Sequence, residues 1–303
     1  MLERCVRTEF FKNGSYTIGS IMATTTLDST TFRLHIIQKF VIHITQLIIM
    51  EKKNKIALIT GGSRGLGKNM ALSIAKKGLD VVITYNANKE AADDVVAQIR
   101  EMGQSAVAFQ LDTSNTEQFD SFVTGLKDHL EKENGSANID YLVNNAGTAL
   151  YSPITDTTEA QMEAIFNIHF KGVFFLTQKL LPHINDGGGI VNISSGLTRI
   201  SMPGSSVYGS MKAAVETLTR YMAKELGSRK IRANVVAPGA IATDFGGGRV
   251  RDNKEINDQI ASFTALGRVG LPEDIGGVVA FLCSEESFWV NAQRIEVSGG
   301  QGI

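Results

Sequence analysis

From Met50 onward, short apolar runs alternate with longer amphipathic stretches. The short runs are rich in aliphatic and β-branched residues, as are strands that are buried on both faces of a parallel sheet. They predict strands over 56–60, 81–85, 106–111, 141–144, 190–194, 232–236 and 294–297. Apolar residues at helical spacing predict helices over 68–77, 91–102, 117–132, 159–181, 206–226 and 273–283. The alternation predicts one α/β domain, residues 50–303, with a doubly wound, seven-stranded parallel sheet flanked by helices.

Two segments lack this alternation and are predicted to be loops. Residues 131–138 are polar and contain Gly135, which indicates an exposed connection. Residues 243–270 follow the sixth strand and contain three successive glycines, 246–248. Because ligands of such sheets bind beyond the carboxyl ends of the strands, we expect this second loop to cover a substrate; a mobile surface loop is the alternative.

Residues 1–49 differ from the rest and are predicted to be an extension of the domain. Their apolar run, 40–49, has about 10 residues and is too short to span a bilayer. They also lack the small-residue cleavage site of a secretory signal, so a different targeting peptide is the alternative. Our hypothesis is that Met50 is the functional start and that residues 1–49 are disordered or an artefact of start-site choice. Mass spectrometry of the native N terminus tests this, and an intact Met1 would contradict it.

Composition narrows the classes of function. The 303 residues are 43% hydrophobic and 20% charged, with a formal net charge of −1, which is typical of a globular protein and offers no basic surface for nucleic acid. The two cysteines, Cys5 and Cys283, and the five scattered histidines form no disulfide framework and no metal-ligand spacing. We therefore expect a reducing, cytoplasmic location and a small-molecule substrate, with no metal, nucleic-acid partner or membrane partner.

A glycine-rich loop, residues 60–67, lies between the first predicted strand and the first predicted helix. Backbone N–H groups and the helix dipole attract a pyrophosphate at such a junction, and glycine permits its close approach. A glycine loop alone can be a plain turn, but its position here favours a dinucleotide. The loop lacks the Gly-Lys-Ser/Thr ending of nucleoside triphosphate loops, which argues against kinase and ATPase functions.

The end of the second predicted strand bears on the choice of cofactor. An acidic residue there would bind the ribose 2′-hydroxyl of NAD, but no carboxylate occurs between Tyr85 and Glu90. Arg64 in the glycine-rich loop, with Asn86 and Lys89, can instead hold a 2′-phosphate. We predict NADP(H) in preference to NAD(H), the alternative being that Arg64 is a solvated loop arginine.

Tyr208 and Lys212 lie four residues apart in a predicted helix, which places both side chains on one face. Ser195 precedes Tyr208 by thirteen residues, at the end of the fifth predicted strand. A phenol, an ammonium and a hydroxyl suit proton transfer that is coupled to hydride transfer. A free tyrosine has a pKa of about 10, and we expect the charge of Lys212 and of an oxidised nicotinamide to lower it.

Residues 50–303 resemble the classical short-chain dehydrogenase/reductase family, whose members have a Rossmann fold. The resemblance rests on the glycine-rich loop, on Asn144-Asn145-Ala146-Gly147 after the fourth strand, and on the Tyr208–Lys212 pair. It implies a catalytic set made of Asn167, Ser195, Tyr208 and Lys212, with Ser194 as a structural neighbour of Ser195. Without the resemblance, Asn167 would be interpreted as a core asparagine; His169 is interpreted as a packing residue. The implied cofactor site consists of Gly61, Ser63, Arg64, Gly65, Leu66, Gly67, Asn86, Asp112, Thr113, Asn145, Ala146, Gly147, Tyr208, Lys212, Pro238, Gly239, Ile241 and Thr243.

The resemblance implies an oxidoreductase that interconverts a carbonyl and an alcohol. Tyr208 would be the general acid and base, Ser195 would bind the carbonyl oxygen, Lys212 would hold the nicotinamide ribose, and Asn167 would hold a proton-relaying water. The substrate is left open among sugars, polyols, small ketones and aldehydes. Relatives of this kind are commonly homotetramers or homodimers.

Two alternatives to this function are kept. The first is a 3-oxoacyl-[acyl-carrier-protein] reductase of fatty-acid synthesis. Arg229 matches one of two arginines that such enzymes present, but Asp186 stands at the other position and would repel an acidic carrier protein. The second alternative, a non-catalytic dinucleotide-sensing protein, would not need the catalytic side chains.

Overall fold

The computed structural model describes residues 6–12, 15–21, 39 and 54–303. Strands β1 (Val6–Lys12) and β2 (Ser15–Ile21) pair as an antiparallel hairpin. The hairpin belongs to one compact unit, and residues 54–303 form another. A regular element thus occurs within the predicted extension, whereas the apolar run 40–49 and Met50 lie outside the described residues. The hypothesis about the start of the functional chain stays a prediction.

The second unit is built on a seven-stranded sheet in which all neighbouring strands are parallel, as predicted. Its strands are β3 (Ile56–Ile59), β4 (Asp80–Tyr85), β5 (Ala106–Gln110), β6 (Ile139–Asn144), β7 (Ile184–Ile193), β8 (Arg232–Pro238) and β9 (Arg294–Val297). Their order is β5-β4-β3-β6-β7-β8-β9. The direction of winding reverses between β3 and β6, and such a reversal is where open parallel sheets bind ligands.

The sheet is buried on both faces. In β3, Ile56 and Leu58 belong to one apolar cluster, while Ala57 and Ile59 belong to the other. Successive strand residues point to opposite faces, so each face of the sheet carries its own core. This explains why the sequence of β3 is uniformly apolar rather than alternating.

Helices cover both cores, and the six predicted helices are confirmed with boundaries shifted by at most three residues. The helices of the second unit are α1 (Gly65–Lys76), α2 (Lys89–Glu101), α3 (Phe119–Asn134), α4 (Glu159–Phe166), α5 (Gly172–Leu180), α6 (Ser206–Glu225), α7 (Arg249–Asp252), α8 (Lys254–Ser262) and α9 (Pro272–Leu282). A π-helical turn, Asn167–Lys171, joins α4 to α5 within the single predicted helix 159–181. In the parts of the chain that the structure describes, no helix is both long and apolar enough to cross a membrane.

Both predicted loops contain helical residues. Helix α3 continues to Asn134 and ends at Gly135, whose φ of 63° only glycine adopts readily, so the first loop is shorter than predicted. The segment 243–270 contains α7 and α8. Asn253 caps α8 by accepting a hydrogen bond from the backbone N of Ile256 at 3.0 Å. This segment is therefore a partly helical flap rather than a plain loop; we call residues 243–270 the flap.

Candidate active site

A cavity of about 560 Å³ lies at the carboxyl ends of the central strands. Every residue of the cofactor site that the resemblance implies lines it, and so do Ser195, Tyr208 and Lys212. Residues from 61 to 301 contribute to its wall, because the ends of β3, β4, β6, β7 and β8 meet there. Two predicted residues, Asn167 and Lys89, are not among the described residues that line the cavity.

The glycine-rich loop and the segment after β6 are tied together. The Nδ2 atom of Asn145 donates to the carbonyl oxygen of Thr60 at 2.8 Å, and the backbone N of Asn145 donates to Thr60 Oγ1 at 2.9 Å. Gly61 has a φ of 64°, and a Cβ atom there would lie 3.0 Å from Ala146 Cα. Both the backbone conformation at position 61 and the close approach of the two segments therefore favour glycine.

The start of α1 fits an anionic group. Its N-cap residue, Arg64, makes no side-chain capping hydrogen bond, and the first turn of α1 has no acidic residue. In contrast, Asn88 caps α2 with its side chain, and Glu90 lies in the first turn of that helix. The first N–H groups of a helix need partners, and phosphate oxygens are suitable ones. The cavity wall here fits the pyrophosphate of a dinucleotide.

The two basic residues proposed for a 2′-phosphate have different surroundings. Arg64 is exposed and forms an ion pair with Asp244 of the flap, with 2.5 Å between Nη1 and Oδ2. Lys89 pairs with Asp93 at 2.6 Å and is not among the described residues that line the cavity. Asn86 lines the cavity at the end of β4. Of the predicted group, Arg64 and Asn86 are thus placed to meet a 2′-phosphate.

Ser195, Tyr208 and Lys212 meet where β7 ends against α6. The Nζ atom of Lys212 donates to the carbonyl oxygen of Ile193 at 2.8 Å and lies 5.6 Å from the centroid of the Tyr208 ring. Ser195 is half-buried, and its hydroxyl partly opposes the rise that burial causes in the pKa of the Tyr208 phenol. The buried Ser194 instead donates a hydrogen bond to the Glu216 carboxylate at 2.7 Å. The geometry supports Ser195, rather than Ser194, as the hydroxyl available to a substrate.

Burial controls the acidity of these groups. It lowers the pKa of Lys212 to about 7, because its ammonium has little solvent and no carboxylate partner among the described residues. Burial also raises the pKa of Tyr208, and the interaction with Ser195 opposes that change only in part. Without a bound cofactor, the pKa of Tyr208 is therefore raised and not lowered as expected. Of the two charges that the expectation invoked, the chain carries only Lys212, whose ammonium is itself disfavoured by burial.

Asn167 does not line the cavity, whereas another residue of the same helical stretch does. His169 lines the cavity and is 1% exposed, and its ring packs edge-to-face on Tyr208 with 5.1 Å between centroids. Two residues on a helix differ in direction by roughly 200°, so Asn167 and His169 cannot both face the same side. Burial lowers the pKa of His169 to about 3, and Lys212 acts in the same direction, so the imidazole is neutral.

Several cavity residues were not predicted from the sequence as part of the site. Tyr151 and Phe245 form an aromatic wall beside Tyr208, and the Phe245 ring centroid lies 6.1 Å from that of Tyr208. The guanidinium of Arg249 lies 4.6 Å from the centroid of the Tyr151 ring. Tyr151 follows β6 without a motif of its own, so no pattern marks it. The aromatic and basic residues of the flap are evident in the sequence, but they do not by themselves identify a substrate.

Arg229, which matches an arginine of carrier-protein reductases, is used within the protein. Its Nε atom donates to Asp186 at 2.8 Å, its Nη1 atom donates to the carbonyl oxygen of Leu181 at 2.8 Å, and its Nη2 atom donates to that of Ile184. Asp186 thus neutralises the one matching arginine. This surface is not arranged to attract an acidic carrier protein.

Comparisons with known proteins identify the family of the chain. The profile of the family described as enoyl-(acyl carrier protein) reductase matches residues 61–301. Hydroxynaphthalene reductase-like protein Arp2 of Metarhizium brunneum is 37% identical over 257 residues, which cover 81% of this chain and 94% of the relative. Tetrahydroxynaphthalene reductase PfmaG of Pestalotiopsis fici is 35% identical over 257 residues, which cover 81% of this chain and 91% of the relative.

Solved structures of ketone reductases are also similar to this chain. The promiscuous reductase LugOII of lugdunomycin biosynthesis superposes with a TM-score of 0.77 and 38% identity, covering 81% of this chain and 96% of LugOII. The angucycline C-6 ketoreductase LanV, solved with NADP, gives a TM-score of 0.77 and 34% identity, covering 81% of this chain and 95% of LanV. The chain belongs to the short-chain dehydrogenase/reductase family. It is an oxidoreductase of the class that acts on C=O and CH–OH groups. LanV and a blue fluorescent protein from a metagenomic library are solved with NADP and NADPH bound, respectively, which favours the predicted NADP(H).

Proposed function

We propose that this protein uses NADPH to reduce a ketone that is carried on an aromatic ring system. The observation that carries the proposal is the shared cavity, in which a phosphate cradle, the Ser195–Tyr208–Lys212 group and an aromatic wall line one space. A separate dinucleotide-binding or structural protein would need only the first of these three.

The cofactor end is the wall from Gly61 to Gly67 together with the segment after β6. The free N–H groups at the start of α1 would hold the pyrophosphate, and Arg64 with Asn86 would hold the 2′-phosphate. The adenine and nicotinamide ends would lie against residues from Asp112 and Thr113 at one side to Pro238, Gly239, Ile241 and Thr243 at the other. NADPH, when bound, supplies the hydride.

The protein supplies the proton and fixes the carbonyl. Ser195 and Tyr208 would donate hydrogen bonds to the carbonyl oxygen, and Tyr208 would release its proton to that oxygen as negative charge develops. A buried phenol with a raised pKa keeps its proton at neutral pH, so Tyr208 is ready to act as an acid in the reductive direction. Lys212, held by the carbonyl oxygen of Ile193, would hold the nicotinamide ribose and favour the phenolate once it forms.

The substrate end is apolar and aromatic. Tyr151 and Phe245 form its wall, joined by Leu197, Ile200 and Met202. A sugar or polyol would need several polar partners to replace its lost hydration, whereas a flat aromatic ring is stabilised by contact with such side chains. The names of Arp2, PfmaG and LanV, which refer to naphthalene and angucycline substrates of those proteins, support the same class.

We further propose a cytoplasmic homo-oligomer, a homotetramer or homodimer. Met162 and Phe166 of α4 and Phe174 and Phe175 of α5 are large apolar side chains that remain at least 38% exposed. Apolar groups that cluster on neighbouring helices favour association with another copy. Light scattering of the wild type and of Phe175→Glu tests this: we expect dissociation of the variant, and a monomeric wild type would contradict the proposal.

The proposed function is tested with Tyr208→Phe, which removes only the phenolic oxygen. We expect kcat to fall by about 100- to 10,000-fold on any ketone that the wild type reduces, because general acid catalysis is lost, with little change in the Kd for NADPH. Tyr221→Phe is the matched control, since Tyr221 lies on the same helix and is 64% exposed. Unchanged turnover by Tyr208→Phe would refute the mechanism.

A panel of carbonyl compounds with NADPH tests the substrate class. It should contain aromatic ring ketones, simple sugars, small aldehydes and a 3-oxoacyl group on acyl carrier protein. We expect the highest kcat/KM for the aromatic ketones. Preference for the carrier-linked group would favour the fatty-acid alternative, and tight NADPH binding without turnover of any compound would favour a dinucleotide sensor.

A further inference from the structure

His169 is the imidazole that the proposed reaction leaves without a role. It lies in the π-helical turn between α4 and α5, where π turns often mark a functional position. The side chain is 1% exposed yet lines the cavity together with Tyr208 and Thr148. A buried polar group needs a reason to be there, since an apolar side chain of similar size would fill the same space at lower cost.

The contacts of the imidazole are directional. Its Nε2 atom lies 2.7 Å from the carbonyl oxygen of Thr148 and 3.3 Å from the backbone N of Thr148. The shorter distance assigns the proton to Nε2, which then donates to the carbonyl oxygen. Nδ1 is left as an acceptor, buried and without a hydrogen-bond partner in the described part of the protein. The imidazole thus fastens the segment after β6 to the helical stretch α4–α5.

The same ring sets the position of the phenol. It meets Tyr208 edge-to-face with an interplanar angle of 86°, a preferred arrangement of aromatic rings. The ring also lies so close to Gly147 that a Cβ atom at that residue would be 2.5 Å from His169 Cε1. The imidazole is therefore confined between Gly147, Thr148 and Tyr208, and it has little freedom to move away from the phenol.

We propose that His169 is a positioning residue for Tyr208, and that it takes the place in the site that the sequence assigned to Asn167. The inference rests on the proposed function, because it assumes that Tyr208 transfers the proton. It goes beyond that function by naming the group that holds the phenol in line with the Ser195 hydroxyl. Asn167 keeps a structural place in the π turn, where its carbonyl oxygen accepts from the backbone N of Gly172.

The test compares His169→Leu with His169→Gln. Leucine keeps the volume but removes the hydrogen bond to Thr148, and a small misplacement of a catalytic group costs up to about 100-fold in rate. We expect His169→Leu to lower kcat by about 10- to 100-fold with the Kd for NADPH changed less than about twofold. The glutamine amide nitrogen can reach the position of Nε2 and donate to the carbonyl oxygen of Thr148, so His169→Gln should recover most of the loss.

A kinetic signature separates positioning from mere structural support. If Tyr208 is misaligned, the chemical step slows, so the isotope effect of 4-deuterated NADPH on kcat should increase in His169→Leu and return towards the wild-type value in His169→Gln. A purely structural role would lower the midpoint of thermal unfolding and weaken NADPH binding without changing the isotope effect. That pattern, or a kcat within about twofold of the wild type for His169→Leu, would overturn the proposal.

Two further variants complete the experiment. His183→Leu is the matched histidine control, since His183 lies outside the cavity, and it should leave all parameters unchanged. Asn167→Ala decides between the two candidates: a loss of kcat with the isotope signature here, but not in His169→Leu, would reverse the assignment. An inactive Tyr208→Phe with a fully active His169→Leu would refute only the inference, whereas an active Tyr208→Phe would refute the proposed function as well.

Discussion

Arg64 and Asp244 form an ion pair that joins the glycine-rich loop to the first turn of the flap, with 2.5 Å between Nη1 and Oδ2. The side chain of Arg64 is 74% exposed and that of Asp244 is 36% exposed. Exposed ion pairs contribute little, about 0–1 kcal/mol, so the pair is easily broken. A phosphate that reaches Arg64 would compete with Asp244 for the guanidinium, and this ion pair between the flap and the loop would then break.

The first prediction concerns cofactor selectivity. Arg64→Gln should raise the Kd for NADPH by about 10- to 100-fold, because one or two charge-assisted hydrogen bonds to the 2′-phosphate are lost. The Kd for NADH should change less than about twofold. Asp244→Asn should tighten NADPH binding by up to about fivefold, since the competing carboxylate is gone. Fluorescence titration with both cofactors measures these values, and equal weakening of NADPH and NADH by Arg64→Gln would contradict the prediction.

The second prediction concerns the stability cost of Lys212. Its pKa in the folded protein, about 7, lies below the ordinary value of 10.5, so between these pH values the folded protein binds fewer protons than the unfolded chain. The destabilising effect therefore grows as the pH falls from about 10.5 to about 7 and is constant below. Lys212→Met should unfold with a free energy about 1–3 kcal/mol higher than the ligand-free wild type at pH 7, and with nearly the same free energy near pH 10.5.

Urea unfolding of the ligand-free proteins at both pH values measures the Lys212 effect. The same variant should have almost no turnover, so the lysine is kept at a cost in stability. A Lys212→Met protein that is less stable than the wild type at pH 7 would contradict the prediction.

The third prediction compares two adjacent glycines of α9. A Cβ atom at Gly276 would overlap the side chains of Asn69 and Ser73 and would lie 2.9 Å from the carbonyl oxygen of Asn69, whereas at Gly277 it would meet nothing within 4 Å. Gly276→Ala should therefore lower the free energy of unfolding by about 1–3 kcal/mol through overpacking against α1. Gly277→Ala should raise it by about 0.5–1 kcal/mol through helix propensity. Thermal melts of both variants check this, and changes of the same sign would count against the packing of α9 on α1.

The fourth prediction concerns Arg229. If its role is internal, Arg229→Ala should lower the free energy of unfolding by about 1–3 kcal/mol, because the carbonyl oxygens of Leu181 and Ile184 lose their donor. The kcat for aromatic ketones should stay within about twofold. Asp186→Asn is the control at the more exposed partner of the ion pair, and it should lower the free energy of unfolding by less than about 1 kcal/mol. A selective loss of kcat/KM on a carrier-linked substrate, at unchanged stability, would instead support the fatty-acid alternative.

Element type was predictable where the local pattern agrees with the tertiary packing. Strand β9 was predicted with its observed boundaries, because polar and apolar residues alternate along its sequence Arg-Ile-Glu-Val. Strand β7 begins at Ile184, six residues before the predicted start, and includes Asn185, Asp186 and three glycines. Ile184 pairs with Ile139 of the neighbouring strand β6, and this pairing makes the segment a strand. The local sequence preferences of these residues do not predict a strand.

The site was predictable to the extent that its parts follow ordered motifs. The glycine-rich loop, Ser195 and the Tyr208–Lys212 pair all line the cavity as the sequence suggested. The flap residue Asp244 was not found, because its partner Arg64 lies 180 residues away along the chain and no spacing rule connects them. Tyr151 was not predicted either, because it joins Phe245 in the cavity wall only through the fold.

The amino-acid sequence by itself determined the parallel sheet and the groups that form the cofactor cradle and the proton donor, since buried strands, helix starts and i, i+4 pairs are local properties of the chain. Only the tertiary structure decided that His169 rather than Asn167 faces Tyr208, because a π turn sets which side of the helix meets the cavity. It also decided the acidity of Tyr208 and Lys212, because burial depends on what packs around a group and not on its neighbours in sequence.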